Sequence, residues 1–476
     1  MGVSPQLLYF CERLSGFSTN YFKLEAAQTT AVSSSIISFD LPSNALLNLE
    51  SFTVHFNADA DVVAQKGARL PPVRDLIERC EVSCGGVILS QGNNFVNVLT
   101  EAKAALTGET ADYVTGNAQM PIEFDVTRQS KYLDRVNQNS VGASGTTIYQ
   151  VHAHELPGFL QTVQPRIFDT SIIPDLRVRL YMASDNVLST SSVSTNPFFM
   201  MPLNYDAADT VTGFPDGSLV TGAKYRLYDI HATIECISLA DMSYENVLAS
   251  TMASQGFLEA PFKAFHTFLD THTGSSRFSI AAQSMDRVWL AWRASTYNTQ
   301  DSPVPVLNQK SPYWYGVPEP ELDAVGRSRY FNFSEPLLVA GVEQPNLAQG
   351  GASYVSYAKT QDSTWKCQLQ LNGAYMPQYS ATVTELYNIT MNSIEGRKKN
   401  QMALPTYRLN NCVQCFRLNM PDSEFSRTLS GLDTRAVNLA GYVRTEGAYP
   451  GANLMIFVET TSTLRIGAGR AIELIA

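Results

Sequence analysis

Cysteines are the first side chains of this chain whose spacing could bind a metal. Cys412 and Cys415 form a single CxxC pair, and Cys80 and Cys84 are four residues apart. A structural zinc site needs four ligands, commonly two such pairs. In a strand, residues three apart face opposite ways, and residues four apart share a face but supply only two ligands. We therefore predict no metal site at either pair.

Two histidines form a second candidate. His152 and His154 are two residues apart, so on a strand they would share one face, a usable geometry for a metal. Glu155 follows and would point to the opposite face. The sequence indicates no third ligand, so the favoured interpretation is two strand histidines with local hydrogen bonds.

Glycine pairs do not indicate a phosphate site. Gly467 and Gly469 precede a strand-like segment, so they lack the helix N-terminus that binds phosphate. Gly85 and Gly86 lie between two strand-like segments, where glycine supplies positive φ. They predict a β-hairpin.

Carboxylates and nucleophiles give no catalytic constellation. A glycosidase needs two carboxylates that converge in a cleft, and no Gly-x-Ser-x-Gly elbow is present. The acidic residues beside the prolines of one long segment are predicted to be solvated: Glu319, Glu321, Asp323 and Glu335. The sequence thus predicts no catalytic, cofactor-binding or metal-binding residue, and no enzyme.

One aromatic cluster leaves two interpretations open. Tyr313, Trp314 and Tyr315 lie between Pro312 and Gly316 and could form a platform for a sugar ring. Tyr and Trp are also enriched at the energetic centres of protein interfaces. We favour an interface or loop-packing role.

Composition limits the class of protein. The 476 residues suit two domains, and 44% hydrophobic residues indicate a globular chain. A net charge of −10 argues against direct nucleic-acid binding, and charged residues make up only 16%, where about 25% is usual. No apolar run approaches the ~20 residues of a membrane span. Seven scattered cysteines and no recognisable secretory signal predict reduced thiols and synthesis in the cytoplasm.

The elements that must position these residues are mainly strands. Apolar and polar residues alternate with a period of two in many segments, the signature of strands with one buried face. The clearest are 52–56, 176–182, 228–236, 288–293 and 365–371. Helices are predicted over 95–106, 244–253 and 381–394, and long polar loops over 108–147, 186–222 and 296–360. The chain divides near 238–258 into two β-rich halves.

The end of the chain carries a resemblance to a known family. Residues 454–476 read as a long strand, a Gly-x-Gly turn and a short last strand, with Ser-Gly-Leu-Asp-Thr-Arg upstream at 430–435. This pairing resembles the end of the second jelly roll in double jelly-roll major capsid proteins, especially those of Polinton-like viruses, virophages and adintoviruses. Further segments that resemble the family are 70–94, 156–160, 165–178, 225–230 and 237–239.

The resemblance implies an all-β fold of two consecutive eight-stranded jelly-roll β-sandwiches, with a few short helices and long loops. The first would span 1–240, with an N-terminal segment, and the second 241–476. It further implies a viral major capsid protein that forms pseudo-hexameric homotrimers, which tile an icosahedral shell around double-stranded DNA. The expected location is the virion.

The resemblance also implies partners. These are further copies of the chain, penton and minor capsid proteins, and a host surface receptor, with no sequence-specific contact to nucleic acid and no transmembrane segment. The alternative, suggested by the aromatic residues and the Asn-rich loops, is a β-sandwich carbohydrate-binding protein or glycoside hydrolase.

Overall fold

Strands form most of the described part of the chain. The computed structural model describes residues 17–61, 67–69, 71, 73–90, 94–107, 148–191, 204–205, 211–212, 224–239, 243–293, 329–331, 333, 365–394, 404, 407, 412–420, 430–435, 440–447 and 453–476. The strands of the first half are β1 (Phe17–Glu25), β2 (Thr30–Val32), β3 (Ile36–Asp40), β4 (Leu46–Asp61), β5 (Gly67–Arg69), β6 (Ile77–Cys84), β7 (Val87–Ile88), β8 (Ile148–His152), β9 (Ile167–Asp169), β10 (Leu176–Met182), β11 (Ser189–Ser191), β12 (Asn204–Tyr205), β13 (Val211–Thr212) and β14 (Lys224–Leu239).

The first half is a sandwich of two antiparallel sheets. One sheet has the order β1-β14-β4-β8, with β2 added beside β14 and β9 beside β4. The other has the order β3-β10-β6-β7. Eight strands in these two orders, with neighbours far apart in sequence, form a jelly roll. Two small ribbons, β5 with β11 and β12 with β13, lie outside the two sheets.

The second half repeats this arrangement. Its strands are β15 (Phe257–Thr271), β16 (Ser275–Phe278), β17 (Met285–Arg293), β18 (Lys366–Leu371), β19 (Ala374–Thr382), β20 (Val413–Arg417), β21 (Gly441–Glu446), β22 (Asn453–Gly467) and β23 (Ile472–Ile475). One sheet has the order β15-β22-β17-β20, with β23 beside β22, and the other has β16-β21-β18-β19. Each of the eight strands in the two four-strand orders of the first jelly roll therefore has an equivalent in the second, and the predicted fold class is confirmed.

Within the described residues, four α-helices lie in the connections: α1 (Val96–Thr107), α2 (Phe159–Thr162), α3 (Ser243–Gln255) and α4 (Val383–Ser393). Three of them match the predicted helices to within two residues. At the start of α4, Glu385 accepts a hydrogen bond from the Thr382 backbone N–H (2.8 Å), as expected of a capping residue. None of the helices in the described residues is both long and apolar enough to cross a membrane.

The cores follow from the period of two. Along β10, Leu176, Val178, Leu180 and Met182 are buried, while the residues between them are partly exposed. β17 departs from this pattern, because all nine of its residues are buried. Its second face is covered, and so Trp289 and Arg287, which the alternation would place towards solvent, lie in the interior.

The cover on that second face comes partly from the first jelly roll. Lys103, on α1, reaches Glu459 on β22 with its ammonium group 3.5 Å from the carboxylate. The same ammonium lies 4.9 Å from the ring centre of Phe265 and 5.1 Å from that of Trp289. Cations in such positions are attracted to the ring faces. We call the contacts between the two jelly rolls the joint.

Glu459 is the centre of the joint. Burial alone would raise the pKa of this carboxyl, but the charges of Lys103, Arg287 and Lys263 outweigh burial and hold its pKa well below the usual range. Arg287 donates to one carboxylate oxygen (3.1 Å) and the indole N–H of Trp289 to the other (3.2 Å). The carboxylate is therefore ionised and fully surrounded by partners from both halves.

We predict that Glu459→Ala lowers the free energy of unfolding by about 3–5 kcal/mol, because it leaves buried cations without their counter-ion. Glu259→Ala is the matched control: it removes an exposed acidic residue of the same sheet, whose partner Arg465 (3.0 Å) is partly exposed. That change should cost less than about 1 kcal/mol. Urea titration of both variants provides the measurement. Equal losses would contradict the role assigned to Glu459.

Candidate functional site

The cysteine pairs lie in the cores. Cys80 and Cys84 share the buried face of β6, where they lie opposite Leu180 and Leu176 of β10. Cys415, on β20, lies opposite Trp289 and is equally buried. The six described cysteines are all free thiols, and Cys11 lies outside the described residues. Among those residues, no group of three or more His, Cys, Asp or Glu side chains has the geometry of a metal site.

His152 and His154 do not share a strand face. β8 ends at His152, and Ala153–Glu155 form a 3-10 turn. The turn begins there because the Glu155 carboxylate accepts a hydrogen bond from the His152 backbone N–H (2.8 Å). The two imidazoles therefore stack, with ring centres 5.5 Å apart. This differs from the strand geometry that we predicted, and Glu155 is the local cause.

A third and a fourth histidine lie on the outer face of the same sheet. His55 of β4 and His231 of β14 are paired in register and stack at 4.9 Å. Burial, then the charges of His231 and His152, lower the pKa of His55 to about 4. Its Nε2 forms a hydrogen bond with Thr233 Oγ1 (2.9 Å). His55 is thus neutral near pH 7, and only the register of β4 with β14 brings its ring onto that of His231.

The glycine predictions are confirmed. Gly85 and Gly86, with φ of 54° and 81°, connect β6 to β7 as a hairpin. A Cβ on Gly85 would lie 2.8 Å from Pro174, so only glycine fits there. Gly467 precedes the 3-10 turn between β22 and β23, and Gly469 lies within it; the turn is followed by a strand and not by a helix.

A buried acidic cluster was missed by the sequence analysis. Asp75, Glu101 and Glu155 are buried together with Arg74 in the first jelly roll, and Arg74 donates to Glu101 at 2.9 Å. Burial and then the charge of Glu101 raise the pKa of Asp75 well above its usual value, against the opposing charge of Arg74. Paired carboxyls with separated pKa values are typical of acid–base catalysis. All four side chains are nearly inaccessible to solvent, so the cluster is a structural one.

A cleft of about 480 Å³ lies between α3, β9 and the sheet of β15, β22 and β23. Its polar side chains bind one another: Tyr244 donates to Asp169 (3.3 Å), and Arg465 donates to Glu259 (3.0 Å) and Glu473 (3.3 Å). Neither the acidic cluster nor any of the four histidines lines the cleft. It is therefore a junction between elements and lacks the features of an active site.

The other candidates lie outside the described residues. These are the aromatic cluster 313–315 and the acidic residues Glu319, Glu321, Asp323 and Glu335. Of the long segment 296–360, only 329–331 and 333 are described, and there Tyr330, Phe331 and Phe333 are buried. The carbonyl of Tyr330 accepts a hydrogen bond from Arg293 (2.9 Å), so this part of the segment packs in the core.

The most distinctive accessible features are apolar. Large hydrophobic side chains are exposed at Phe17, Tyr21 and Phe22 on β1, and at Met420 and Leu432 after β20. An exposed group of apolar residues on a globular protein commonly marks an interaction surface. The candidate functional site of this chain is therefore a surface for association.

Comparison with known proteins supports the fold. No family model matches the chain, and no curated protein sequence matches it. Among solved structures, PBCV-1 VP54, fitted into a reconstruction of the virophage Sputnik, is 11% identical with a TM-score of 0.51, and the match covers 98% of each chain. The PBCV-1 virus capsid model is 10% identical with a TM-score of 0.50, and the match covers 98% of each chain. The Faustovirus major capsid protein is 8% identical with a TM-score of 0.51, and the match covers 95% of this chain and 91% of that one.

At these identities the likeness shows the fold alone. It extends over nearly the whole length of both partners in each comparison, so the match includes both jelly rolls and is not limited to a single one. The resemblance to double jelly-roll capsid proteins that the sequence indicates is confirmed at the level of the fold.

The acidic cluster gives a pH-dependent prediction. Because the folded-state pKa of Asp75 lies above its unfolded value of 3.8, the ionisable side chain costs stability as the pH rises above 3.8. Asp75→Asn cannot ionise, so the variant should gain at least about 1 kcal/mol relative to wild type between pH 4 and pH 8. Urea titrations across this range provide the measurement.

Asp433→Asn serves as the control of opposite sign. Arg435 lowers the pKa of Asp433 to about 2, so this carboxylate contributes stability above 3.8, and that contribution is lost as the pH falls towards 2. The Asp433→Asn variant should therefore gain no stability relative to wild type as the pH rises. If the difference in unfolding free energy between Asp75→Asn and wild type did not change with pH, the assignment of a neutral Asp75 carboxyl in the folded state would be wrong.

The thiols should be unreactive until the protein unfolds. Burial raises the pKa of Cys80, Cys84 and Cys415 to about 12, so the reactive thiolate is scarce in the native state. In the absence of reductant, a thiol reagent at pH 8 should modify all seven cysteines only after denaturation. In the native state, the Cys11→Ser variant shows how much of any labelling comes from Cys11. Elemental analysis should find no stoichiometric zinc. Two missing thiols would reveal a disulfide.

Proposed function

We propose that the chain is a viral major capsid protein, with a structural role and no catalytic one. The observation that carries the proposal is the presence of two jelly rolls with equivalent strand orders in one chain, in a fold shared over almost the full length with the Faustovirus major capsid protein. No feature of the described residues favours the alternative of carbohydrate binding or glycoside hydrolysis.

The proposed assembly is a homotrimer. Each chain supplies two similar domains, 1–240 and 241–476, so three chains give a ring of six similar units, a pseudo-hexamer. Such trimers would tile an icosahedral shell around double-stranded DNA. The net charge of −10 suits a shell that does not itself condense the genome.

The proposed location is the virion, after synthesis in the host cytoplasm. The proposed partners are further copies of the chain, penton and minor capsid proteins, and a host surface receptor. Stable interfaces of this kind commonly bury about 2,000 Å² or more, which suits a chain with few charged residues.

The oligomeric state and the assembled product test the proposal. Light scattering after gel filtration should give a mass of three times the 52.4 kDa chain or a larger assembly. Negative-stain microscopy should show capsomers of pseudo-hexagonal outline or closed shells. A protein that stays monomeric at every concentration and binds polysaccharide would refute the capsid function and favour the alternative.

A further inference from the structure

Edge strands of the two jelly rolls differ in a way that points to an interface. β15 is the edge strand of the second large sheet, beside β22, and β1 is the edge strand of the first, beside β14. The free edge of a strand presents unpaired N–H and C=O groups, which a protein must cover or protect. The chain covers one of these equivalent edges and leaves the other exposed.

The edge of β15 is covered within the chain. Thr162 Oγ1 accepts a hydrogen bond from the Lys263 backbone N–H (2.8 Å), and the Gln164 N–H donates to the Pro261 carbonyl (3.0 Å). Phe159 packs edge-to-face on Phe262, with ring centres 5.1 Å apart. All three covering residues belong to the connection that follows β8, residues 153–166. We call this the first-roll connection.

The edge of β1 has no equivalent cover among the described residues. There it pairs with β14 alone, and eight of its nine residues are exposed. Its aromatic side chains are among the most exposed large hydrophobic groups, with Phe17 at 61%, Tyr21 at 66% and Phe22 at 46%. Nine residues with exposed aromatic rings on both faces are a costly surface for a monomer.

The second jelly roll has a counterpart of the first-roll connection. The residues that follow β20, described at 418–420 and 430–435, occupy the same place in the chain order; we call them the second-roll connection. Met420 is 69% exposed and Leu432 40%, whereas Phe159 and Val163 of the first-roll connection are buried. The backbone of Leu432 is fixed by two hydrogen bonds with Met285 (2.9 and 3.0 Å), so its side chain is presented in a defined position.

We propose that the second-roll connection of one chain covers the β1 edge of another copy, and so repeats between chains the joint that exists within each chain. The inference rests on the proposed function, because it assumes that copies of the chain associate. The contact is heterologous, since two different surfaces meet, and a heterologous contact forms a ring when the rotation between copies closes, as in a trimer. Three chains would then form a ring with three joints within chains and three similar contacts between chains.

The charges near both surfaces indicate an apolar contact. Lys23 and Glu25 of β1 pair with each other (2.9 Å), and so do Asp433 and Arg435 of the second-roll connection (2.7 Å). Neither surface offers an excess of one charge to the other. The association should therefore persist in about 1 M salt, where charges are screened beyond ~3 Å.

Two variants and one control test the surfaces. Tyr21→Glu and Met420→Glu should each weaken trimer formation at least tenfold, measured by sedimentation over a range of concentrations. Tyr379→Glu, at a similarly exposed tyrosine on the edge strand β19, should associate like wild type. Far-UV circular dichroism spectra should coincide for all three variants, which separates lost association from lost folding.

Cross-linking between two labelled chains tests the pairing directly. In a Cys11→Ser background, Tyr21→Cys and Met420→Cys chains of different mass are mixed and treated with a short bismaleimide. The proposal expects a product that joins one chain of each kind. Products that join two Tyr21→Cys chains would indicate a symmetric contact and overturn it. With an added cysteine within residues 2–16, a cross-link to position 21 inside one chain would assign the β1 edge to that segment, and would equally overturn it.

The outcomes separate this inference from the proposed function. If wild type forms trimers and the two glutamate variants do so equally well, the pairing is wrong and the capsid function stands. If wild type forms no assembly, both fail. Trimers that are lost only in the Tyr21→Glu and Met420→Glu variants, together with the mixed cross-link, support both.

Discussion

The buried carboxylate of Glu459 is the constraint on which the arrangement of the two jelly rolls depends. A carboxylate removed from water is tolerated only when other groups replace its hydration. Here they come from both halves of the chain: Lys103 from the first jelly roll, and Arg287 and Trp289 from the second. Separation of the halves would leave this charge without one of its cations, so the joint is closed by electrostatics as well as by packing.

The joint also resolves a problem of β-structure. Each sheet of a jelly roll ends in an edge strand with unpaired backbone groups. At the edge strand β15, the first-roll connection forms hydrogen bonds with the backbone of Pro261 and Lys263. Phe159 and Phe262 add apolar contact at the same place. The second jelly roll is thus partly completed by the first, while the first presents its own edge, β1, to the solvent.

The chemistry of the chain is consistent with a role played by surfaces. Its most perturbed carboxyls, Asp75 and Glu459, are buried and held by neighbouring charged groups. The described cysteines are buried, and His55 and His152 form hydrogen bonds with threonines of their own sheet. The exposed side chains of Asp433 and Arg435 pair with each other (2.7 Å).

The sequence by itself determined the class of fold. Alternation with a period of two depends only on local backbone geometry, so it predicted β10, β14 and β18, and three helices were also predicted from the sequence. The hairpin at Gly85 and Gly86 was predicted for the same reason, since positive φ is a local demand. The turn at Ala153–Glu155 was not, because the Glu155 side chain overrides a strand-like pattern.

Only the tertiary structure decided which residues meet. Lys103 and Glu459 are 356 residues apart, and the pair of His55 and His231 depends on the register of β4 with β14. Asp75 and Glu101 belong to different elements, so their shared burial leaves no local pattern. The same limit applies to surfaces: β15 and β1 are both strands with apolar residues. Only the tertiary structure shows that Thr162 and Gln164 cover the edge of β15, while eight of the nine residues of β1 are exposed. Periodicity reports which face of an element is apolar, while the partner of that face depends on contacts distant in sequence.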